Sequence, residues 1–556
     1  MSTKEKAARR GSKAGIVIIL LCLAGLIALG VSLWRQQLPP PEPETAAGYA
    51  ASAEETVPVY DGEGAVLGSL VRGAEVHFVQ ADMDGEGTLV RVVNGGEYVY
   101  LEKQHLALRY EDAVQVDTVY ARRGISLLDA AGTAPGCAVE KGMALTVTGF
   151  DGLDDSGAVL RWRVSCQRGE GYIDAANVRM TEAEALAHYD EELYALHASR
   201  GDSWGGGDAA GLDYEPVEKG PIAGNEMPGE VRALYLNGSA IQYADSYLQA
   251  AAGSGVNAFV VDIVDGTAVS YASPVMQQYS PSAYAAAMDT REGFQANLQK
   301  LKDAGYYLIG RITVFNDAHL AADHPEYVIS DLSGTPLKIS SMYWPSAYNR
   351  TVWQYKVELA LEAAALGFNE IQFDYIRFPD GAYDYEKAGT IDYRNTYGES
   401  KAQAVQRFLL YAAERLHSAG YYLSGDVFGE CANPYVTACG QYWPAISAAV
   451  DAISGMPYPD HYSARGDYKP WEHPYDTVRM FGAAAAERQR ETASPAAVRT
   501  WIQAYNAIRE PYNTYGAAEV AAEVRALRDT GCTGGFMTWN GGSDIGKYRS
   551  ILSALQ

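Results

Sequence analysis

The sequence predicts an α/β protein in which a (β/α)₈ barrel of the TIM type occupies residues 229–556, after two small all-β barrels and an N-terminal transmembrane helix. Three observations lead to this prediction. From about Val231, apolar strand-like runs alternate with segments of helical periodicity, as in parallel strands joined by helices. Residues 57–180 instead contain short alternating strands between Gly-rich turns. The chain also begins with basic residues followed by a long uncharged apolar run.

The N-terminal segment predicts a membrane anchor. A basic tail, residues 1–13, precedes an uncharged apolar run, residues 14–34, which Arg35 closes. A run of about 21 residues spans a hydrocarbon core of about 30 Å, whereas a cleaved signal peptide has a shorter apolar core. Because the basic side stays in the cytoplasm, everything after residue 35 is expected outside the cell. The predicted location is the cell membrane, single-pass, with the lipid bilayer as partner of this helix.

Two β-rich segments follow the anchor. Residues 35–56 are rich in Pro, Ala and Glu and predict a stiff stalk. Residues 57–110 and 115–180 each suggest a small barrel of five strands. Their endings, EYVYLEKQHL and EGYIDAANV, resemble those of bacterial SH3-like domains. That resemblance implies binding of cell-wall polymer, with a purely spacing role as the alternative. Residues 181–228 read as a helix followed by a flexible linker.

Composition excludes one class of partner. The chain has 44 Lys and Arg against 69 Asp and Glu, a net charge of −25. Nucleic-acid binding needs clustered cations, so no nucleic acid is expected as partner. The 40 Tyr residues against 12 Phe suit sugar rings and wet surfaces, because Tyr combines a flat apolar face with a polar tip.

The cysteines do not predict a metal site, because none of their spacings is a zinc pattern. Cys22 lies in the predicted anchor. Cys137 with Cys166 and Cys431 with Cys439 form two possible pairs, and Cys532 is left over. Outside the cell both pairs could be disulfides, and isolated buried thiols are the alternative. Motifs for zinc proteases, serine hydrolases and nucleotide phosphates are also missing from the sequence, so no cofactor is expected.

The C-terminal part supplies strands and helices in alternation. The strand-like runs are VRALYL, NAFVVDI, YYLIGRITV, NEIQFDYI, YYLSGDVFG, VDAISGMPY, RTWIQAY and TGGFMTW. Helical segments lie between them, several ending in Gly, which is a C-terminal cap signal. The first run leads into LNGSAI, which lacks the Gly-rich phosphate loop of an open doubly wound sheet. A closed barrel is therefore favoured.

Polar residues cluster at the carboxyl ends of these strands, where barrel enzymes have their active sites. The candidates are Asp262, Arg311, Gln372, Asp374, Arg377, Asp426, Glu430, Tyr458, His461, Gln503 and Trp539. Hydrolysis of a glycosidic bond needs two carboxyl groups, together with aromatic and hydrogen-bonding side chains that orient the sugar. This inventory contains both.

The fourth strand carries the strongest candidate. Alternation places Gln372 and Asp374 on one face of the strand, and Phe373, Tyr375 and Arg377 on the other. An Asp inside a barrel is costly unless it is paired or functional. Pairing with an arginine as a purely structural residue is the alternative reading of Asp374.

The segment GFNEIQFDYIRFP, with the preceding VWQYKVELALEAAALG, resembles a family of bacterial glycoside hydrolase-like proteins first catalogued as a domain of unknown function. Further matching segments are VRALYLNGSAI, YYLIGRITVFND, GMPYPDHY and GFMTWN. The resemblance covers about Val231 to the C-terminus and implies a glycosidase-type (β/α)₈ barrel. The segment LKISSMYWPSAYNR is less rich in Gly and Trp than the family pattern, which affects the outer substrate subsites.

We therefore expect a surface-tethered enzyme that hydrolyses an envelope or extracellular polysaccharide. Asp374 is the expected nucleophile or base, and Asp426 the expected acid, with Glu430 as its substitute. The remaining candidates would bind the sugar. The alternative is a non-catalytic protein that binds cell-wall glycan and uses the barrel as a scaffold.

Overall fold

The computed structural model describes residues 20–29, 31, 32, 35, 42–203 and 205–556. It divides into two compact units. The first contains the described residues up to Val116 together with Gly152–Val159, and the second contains Asp117–Asp151 and Leu160–Gln556.

The predicted membrane anchor is only partly described. The tail 1–13 lies outside the described residues, as do residues 14–19, 30, 33 and 34. Residues 20–29, 31 and 32 are helical and exposed. Within the part of the chain that the structure describes, no helix is long and apolar enough to cross a membrane.

The first small domain is one antiparallel sheet of seven strands. Strands β1–β7 are Thr45–Ala50, Thr56–Tyr60, Val66–Val71, Glu75–Val79, Leu89–Asn94, Glu97–Glu102 and Leu106–Ala107. Their order in the sheet is β3-β2-β6-β5-β4-β1-β7. Strand β1 lies in the segment predicted as a stalk, and it pairs with β4 along five residues. The domain therefore begins earlier than residue 57, and it has two more strands than the sequence suggested.

The second small domain repeats this arrangement. Strands β8–β14 are Thr118–Ala121, Ile125–Leu128, Pro135–Val139, Ala144–Leu153, Val159–Cys166, Gly169–Asp174 and Val178–Arg179. Their order, β10-β9-β13-β12-β11-β8-β14, matches that of the first domain strand for strand. Both domains end in a short 3₁₀ helix and a two-residue strand, Lys103–His105 before β7 and Ala175–Asn177 before β14.

Residues 181–228 differ from the predicted flexible linker. Two short helices, Glu182–Leu186 and Glu191–Ala198, are followed by a segment in which residues 219–225 are hydrogen-bonded to the amino-terminal side of the barrel. Lys219 Nζ donates to the carbonyl oxygens of Ser447 and Ser494. Asn225 Nδ2 donates to two more carbonyl oxygens at 2.8 and 2.9 Å. These bonds satisfy partly buried backbone acceptors of the barrel, so the segment is ordered although its composition is linker-like.

Residues from Val231 form a ring of eight parallel strands. Strands β15–β22 are Val231–Leu236, Ala258–Asp265, Tyr307–Thr313, Glu370–Asp374, Tyr422–Phe428, Ala452–Met456, Ala497–Val498 continued by Thr500–Gln503, and Gly535–Trp539. Each strand pairs with the next, and β15 pairs with β22. The α/β class is confirmed, and the sheet agrees with a (β/α)₈ barrel.

A helix follows each strand on the outside of the ring. Helices α1–α8 are Ala244–Ala251, Arg291–Asp303, Arg350–Ala365, Lys401–Ser418, Trp443–Ala449, Pro474–Arg490, Ala517–Asp529 and Ile545–Ile551. Side chains cap the amino-terminal ends of several of these helices. Ser400 and Gln403 form a capping box at α4, and Asn349 accepts from two amides at α3. The inner faces of the eight helices and the outward faces of the strands form the main apolar core.

The lower barrel interior contains a buried polar layer. The Arg499 side chain, between the two segments of β21, forms an ion pair with Glu370 at 2.6 Å, and both groups are buried. Glu370 also accepts from Ser424 Oγ at 2.5 Å and from Tyr307 Oη at 2.9 Å. Because its partners come from three other strands, this layer joins separate parts of the ring below the functional end.

Candidate active site

A cavity of about 480 Å³ lies at the carboxyl ends of the barrel strands. This is the end at which (β/α)₈ enzymes place their active sites, and the volume falls in the usual range for small-molecule sites. Its lining residues are Asp265, Arg311, Asp374, Tyr375, Arg377, Phe428, Gly429, Glu430, Met456, Tyr458, His461, Tyr462, Trp501 and Trp539. The cavity thus combines three carboxyl groups, two guanidinium groups and six aromatic rings besides a histidine.

Strand β18 positions the central carboxylate. Its alternation points Glu370, Gln372 and Asp374 into the barrel at rising levels. Gln372 Nε2 donates to Ser454 Oγ at 3.2 Å in the middle level. Asp374, the last residue of the strand, reaches the cavity with a side chain that is 7% exposed. Its Oδ1 accepts from the amide of Tyr375 at 2.6 Å.

Arg311 on β17 organises the carboxylates of the site. Its Nη2 donates to Asp374 at 2.6 Å, and its Nη1 donates to Asp262 at 2.8 Å. Asp265 lies 3.4 Å from the same Nη1. A guanidinium has several donors in one plane, so one buried arginine can hold acids from neighbouring strands in fixed positions.

Asp426 on β19 belongs to the same cluster but lies below the cavity. Its side chain is completely buried, and its Oδ1 accepts from Trp501 Nε1 at 2.9 Å. Its Oδ2 lies 3.8 Å from Arg311 Nε, and neither atom has a hydrogen-bond partner among the described residues. Burial, together with the nearby charge of Asp374, raises the pKa of Asp426 well above its usual range.

Asp262 supports Arg311 from beneath. It also accepts from Tyr235 Oη, and its side chain is 1% exposed. Burial raises the pKa of Asp262 to about 7, although the adjacent Arg311 acts in the opposite direction. Its carboxyl is therefore a positioning group for Arg311 and does not reach the cavity.

Aromatic rings form one wall and part of the floor. Trp539, the last residue of β22, lies with its ring centre 5.2 Å from the Arg311 guanidinium carbon. Tyr458 is nearly parallel to Trp539 at a centroid distance of 6.5 Å, and Trp501 is perpendicular to it at 5.6 Å. Flat apolar surfaces beside fixed polar groups are typical of sites that bind sugar rings.

The turn after β18 changes the direction of the chain. Tyr375 has a φ of +54°, in the left-handed region that a bulky residue rarely adopts. The alternation of the strand therefore ends at Asp374. As a result Tyr375 and Arg377, expected on the opposite face, both line the cavity together with Asp374.

Seven of the predicted site residues meet in the cavity, and four do not. Asp374, Arg311, Arg377, Glu430, Tyr458, His461 and Trp539 line it. Asp426 and Asp262 are covered, as described above. Gln372 lies one level below the cavity. The side-chain Nε2 of Gln503 donates to the Tyr505 carbonyl oxygen, and the backbone N–H of Gln503 donates to Glu523 on α7. The expected sugar contacts of Gln372 and Gln503 are therefore replaced by internal hydrogen bonds.

Several lining residues were not among the predicted site residues. Trp501 occupies an inward position of β21, and Phe428 and Met456 end β19 and β20. An apolar residue at a strand end is indistinguishable in sequence from a core residue. Asp265, three residues after a predicted acid, and Tyr462, directly after the predicted His461, did carry a usable signal.

The described residues contain no group of three or more His, Cys, Asp or Glu that could hold a metal ion. All six cysteines are free thiols. Burial, and next the neighbouring Cys166, raise the pKa of the Cys137 thiol to about 11. The two disulfides that the sequence left open are therefore not formed in this structure.

Fold and cavity together define a class: a (β/α)₈ barrel with carboxyl groups and aromatic walls at the mouth of the ring, as in glycoside hydrolases. Residues 233–544, more than half of the chain, match the family model described as "Putative glycosyl hydrolase domain". The chain belongs to this family, in agreement with the resemblance seen in its sequence, and the match supports a glycan-hydrolysing role.

Solved structures provide further similarities. A hypothetical protein from Ruminiclostridium thermocellum ATCC 27405 is 31% identical over 35% of this chain and 97% of that chain, with a TM-score of 0.30. The PgaB (BpsB) glycoside hydrolase domain from Bordetella bronchiseptica is 13% identical over 58% and 99%, with a TM-score of 0.42. The class V chitinase from Pseudomonas fluorescens Pf-5 is 15% identical over 58% and 99%, with a TM-score of 0.37. No curated protein matches the chain.

Proposed function

We propose that the protein hydrolyses glycosidic bonds of an envelope or extracellular polysaccharide, with Asp374 as nucleophile or base. The observation that carries this proposal is the position of Asp374, which faces the cavity while Arg311 and the Tyr375 amide hold both of its oxygens. These contacts stabilise the charged carboxylate and fix its orientation, as needed beside an oxocarbenium-like transition state.

Glu430 is our proposed general acid. It lines the cavity from the 3₁₀ helix Gly429–Ala432 and is exposed, with the Tyr435 hydroxyl as a hydrogen-bond donor at 3.1 Å. A proton donor must come within hydrogen-bond reach of the glycosidic oxygen. Asp426 meets the condition of a raised pKa but is covered by protein, which favours Glu430 for the transfer.

Asp426 then acts behind the nucleophile. Both Asp374 and Asp426 contact the Arg311 guanidinium, at 2.6 and 3.8 Å. A neutral Asp426 leaves Arg311 to the charged acids, including Asp374. In this scheme Asp426 is a positioning residue, and Trp501 keeps its carboxyl in place through the indole N–H.

Kinetics on aryl glycosides tests these roles. Asp374→Asn should lose about three or more orders of magnitude in kcat on every substrate while remaining folded. Glu430→Gln should lose a comparable factor on substrates with poor leaving groups but much less on activated aryl glycosides, because those leave without protonation. Asp265→Asn, which changes another cavity carboxylate bound to Arg311, is the matched control.

Near-normal activity of Asp374→Asn would refute its catalytic role. Equal losses on both classes of leaving group would remove Glu430 as the acid. Saturable glycan binding without turnover by the wild-type protein would favour the alternative, a non-catalytic glycan-binding protein, over the hydrolase.

We also propose that residues 14–34 anchor the protein and that the folded domains are extracellular. The length of the apolar run and its basic flank support this topology. The shared strand order of the two small domains supports our assignment of both as SH3-like modules. Protease treatment of intact cells should release the folded domains, and their complete protection would reverse the orientation.

A further inference from the structure

Arg377 differs from Arg311 in how its charge is used. Arg311 is in contact with four carboxyl groups. Arg377 has one, Asp380, which accepts from its Nη1 at 2.9 Å and is 54% exposed, so water weakens this pair. The same Nη1 donates to the Phe378 carbonyl at 3.2 Å. Among the described residues, Nε and Nη2 of Arg377 have no acceptor.

Three aromatic rings fix the plane of this guanidinium. Its carbon lies 4.2 Å from the ring centre of Phe428, 4.8 Å from Tyr375 and 4.9 Å from Trp344. Ring faces hold a guanidinium by stacking but offer no oxygen to its edge. Because the side chain is only 5% exposed, its unused N–H groups depend on whatever occupies the cavity for an acceptor.

The matching ligand group is a carboxylate. Its two oxygens fit the planar fork of a guanidinium, and a pre-oriented arginine loses little conformational entropy on binding. Among the other charged residues of the cavity, Asp265, Asp374 and Glu430 repel an anion, and Arg311 is already in contact with carboxyl groups of the protein. An acidic sugar would therefore be accepted in one orientation, with its carboxylate toward Arg377 and away from the catalytic acids.

We propose that the sugar bound in this cavity is a uronic acid whose carboxylate pairs with Arg377. This inference rests on the proposed function, because it deepens the choice of glycan at the same site. It makes Arg377 a specificity-determining residue, and it explains how a chain of net charge −25 could bind an acidic glycan at one cationic point.

Calorimetry on the intact protein tests the inference. The probes are oligogalacturonates and oligoglucuronates, each compared with the same oligosaccharide after chemical reduction of its carboxyl groups to alcohols. The wild type should bind at least one uronate series about tenfold more tightly than its reduced counterpart, the value of one charge-assisted contact. Arg377→Gln should bring this ratio close to one, and Arg377→Lys, which keeps the charge but loses the planar fork, should lower it.

Arg509→Gln is the matched control, because Arg509 also lies over an aromatic ring, Trp471 at 5.8 Å, but does not line the cavity. It should keep the wild-type ratio. Near-ultraviolet circular dichroism of each variant checks that the aromatic packing of the site is intact.

The outcomes separate this inference from the proposed function. Equal binding of uronate and reduced oligosaccharides overturns the inference, and so does no binding of any uronate or a preference that survives in both Arg377 variants. Hydrolysis of neutral glycans would leave the proposed function standing in each of these cases. Arg377-dependent binding of uronates without turnover would instead support the inference and refute the hydrolase.

Discussion

At the scale of single residues, Arg311 and the acids around it determine which carboxyl groups of the site are protonated. One guanidinium cannot neutralise four carboxylates, and two of the acids, Asp262 and Asp426, are fully covered. Burial is complete at Asp426, and together with the nearby charge of Asp374 it raises the pKa of this carboxyl well above its usual range, which favours the protonated form.

Asp426→Asn tests this protonation pattern, because Asn matches a neutral carboxyl group in shape and can still accept from Trp501. The folded pKa of Asp426 is raised above the unfolded value of about 3.9. The contribution of Asp426 to the free energy of unfolding is therefore fully present below the unfolded pKa, and it is lost as the pH rises toward the folded pKa. We expect the variant to be at least as stable as the wild type at pH 7.

Urea unfolding at several pH values between 4 and 8 measures this difference. The stability of the wild type relative to Asp426→Asn should fall as the pH rises through this window. Asp426→Ala is the comparison, since it leaves the Trp501 N–H without its acceptor and should cost about 1 to 3 kcal/mol. If the Asp426→Asn variant were several kcal/mol less stable than the wild type at pH 7, Asp426 would have to be charged.

At the scale of elements, closure of the barrel depends on the start of its last strand. Gly535 begins β22 with a φ of +107°, directly beside Val231 at the start of β15. A Cβ atom built on Gly535 would lie 1.9 Å from the Val231 carbonyl oxygen. This contact is with backbone, so the two strands would have to separate to relieve it.

Gly535→Ala should therefore lower the free energy of unfolding by about 2 kcal/mol or more, through the steric contact and the unfavourable φ together. Gly542→Ala, where an added Cβ meets no atom within 4 Å, is the matched control and should change stability little. Chemical denaturation of the two variants gives the comparison. Similar midpoints for both would show that the β15–β22 seam tolerates a side chain.

The sequence predicted the elements of the barrel better than the positions of its side chains. Strand runs such as EIQFD have a period and composition that packing reinforces, so the parallel ring and Asp374 at a strand end could be predicted. The left-handed Tyr375 could not, because nothing in its residue type indicates a positive φ. The level of Gln372 below the cavity depends on strand stagger, and the side chain of Gln503 is held by a hydrogen bond to the Tyr505 carbonyl oxygen; a single sequence encodes neither.

The small domains show a second limit of prediction. Strand β1 has the Ala-rich sequence TAAGYA, whose local propensity does not indicate a strand. Its pairing with β4 supplies the hydrogen bonds, and Ala50 is buried in the domain core. Tertiary pairing thus determines this element, and the same holds for the two-residue strands β7 and β14 that complete the two sheets.

At the scale of the whole molecule, the second small domain, apart from Gly152–Val159, belongs to the same compact unit as the barrel. Helices α3 and α4 carry the contact. Arg350 Nε donates to Ser126 Oγ at 3.0 Å, and Tyr411 Oη donates to the Thr133 carbonyl at 2.5 Å. Arg415 Nη1 donates to the Gly132 carbonyl at 2.7 Å. The domain is therefore bound to the barrel along two helices and differs in this from a freely tethered module.

Arg407 lies at the centre of this interface and gives the last prediction. It pairs with Glu399, which is fully buried and also holds Arg350 at 2.7 Å, and with Glu140 of the small domain. Arg407→Ala leaves Glu399 with one partner and opens space beside Gly124, so we expect a loss of about 3 kcal/mol in the free energy of unfolding. Arg109→Ala, which removes an exposed pair with Asp112, is the control and should leave stability unchanged. Calorimetry of the intact protein should show the small domain and the barrel unfolding together at a lower temperature in Arg407→Ala. If only a minor early transition moved while the main one stayed in place, the small domain would be an independent folding unit, and the ionic interface would not couple it to the barrel.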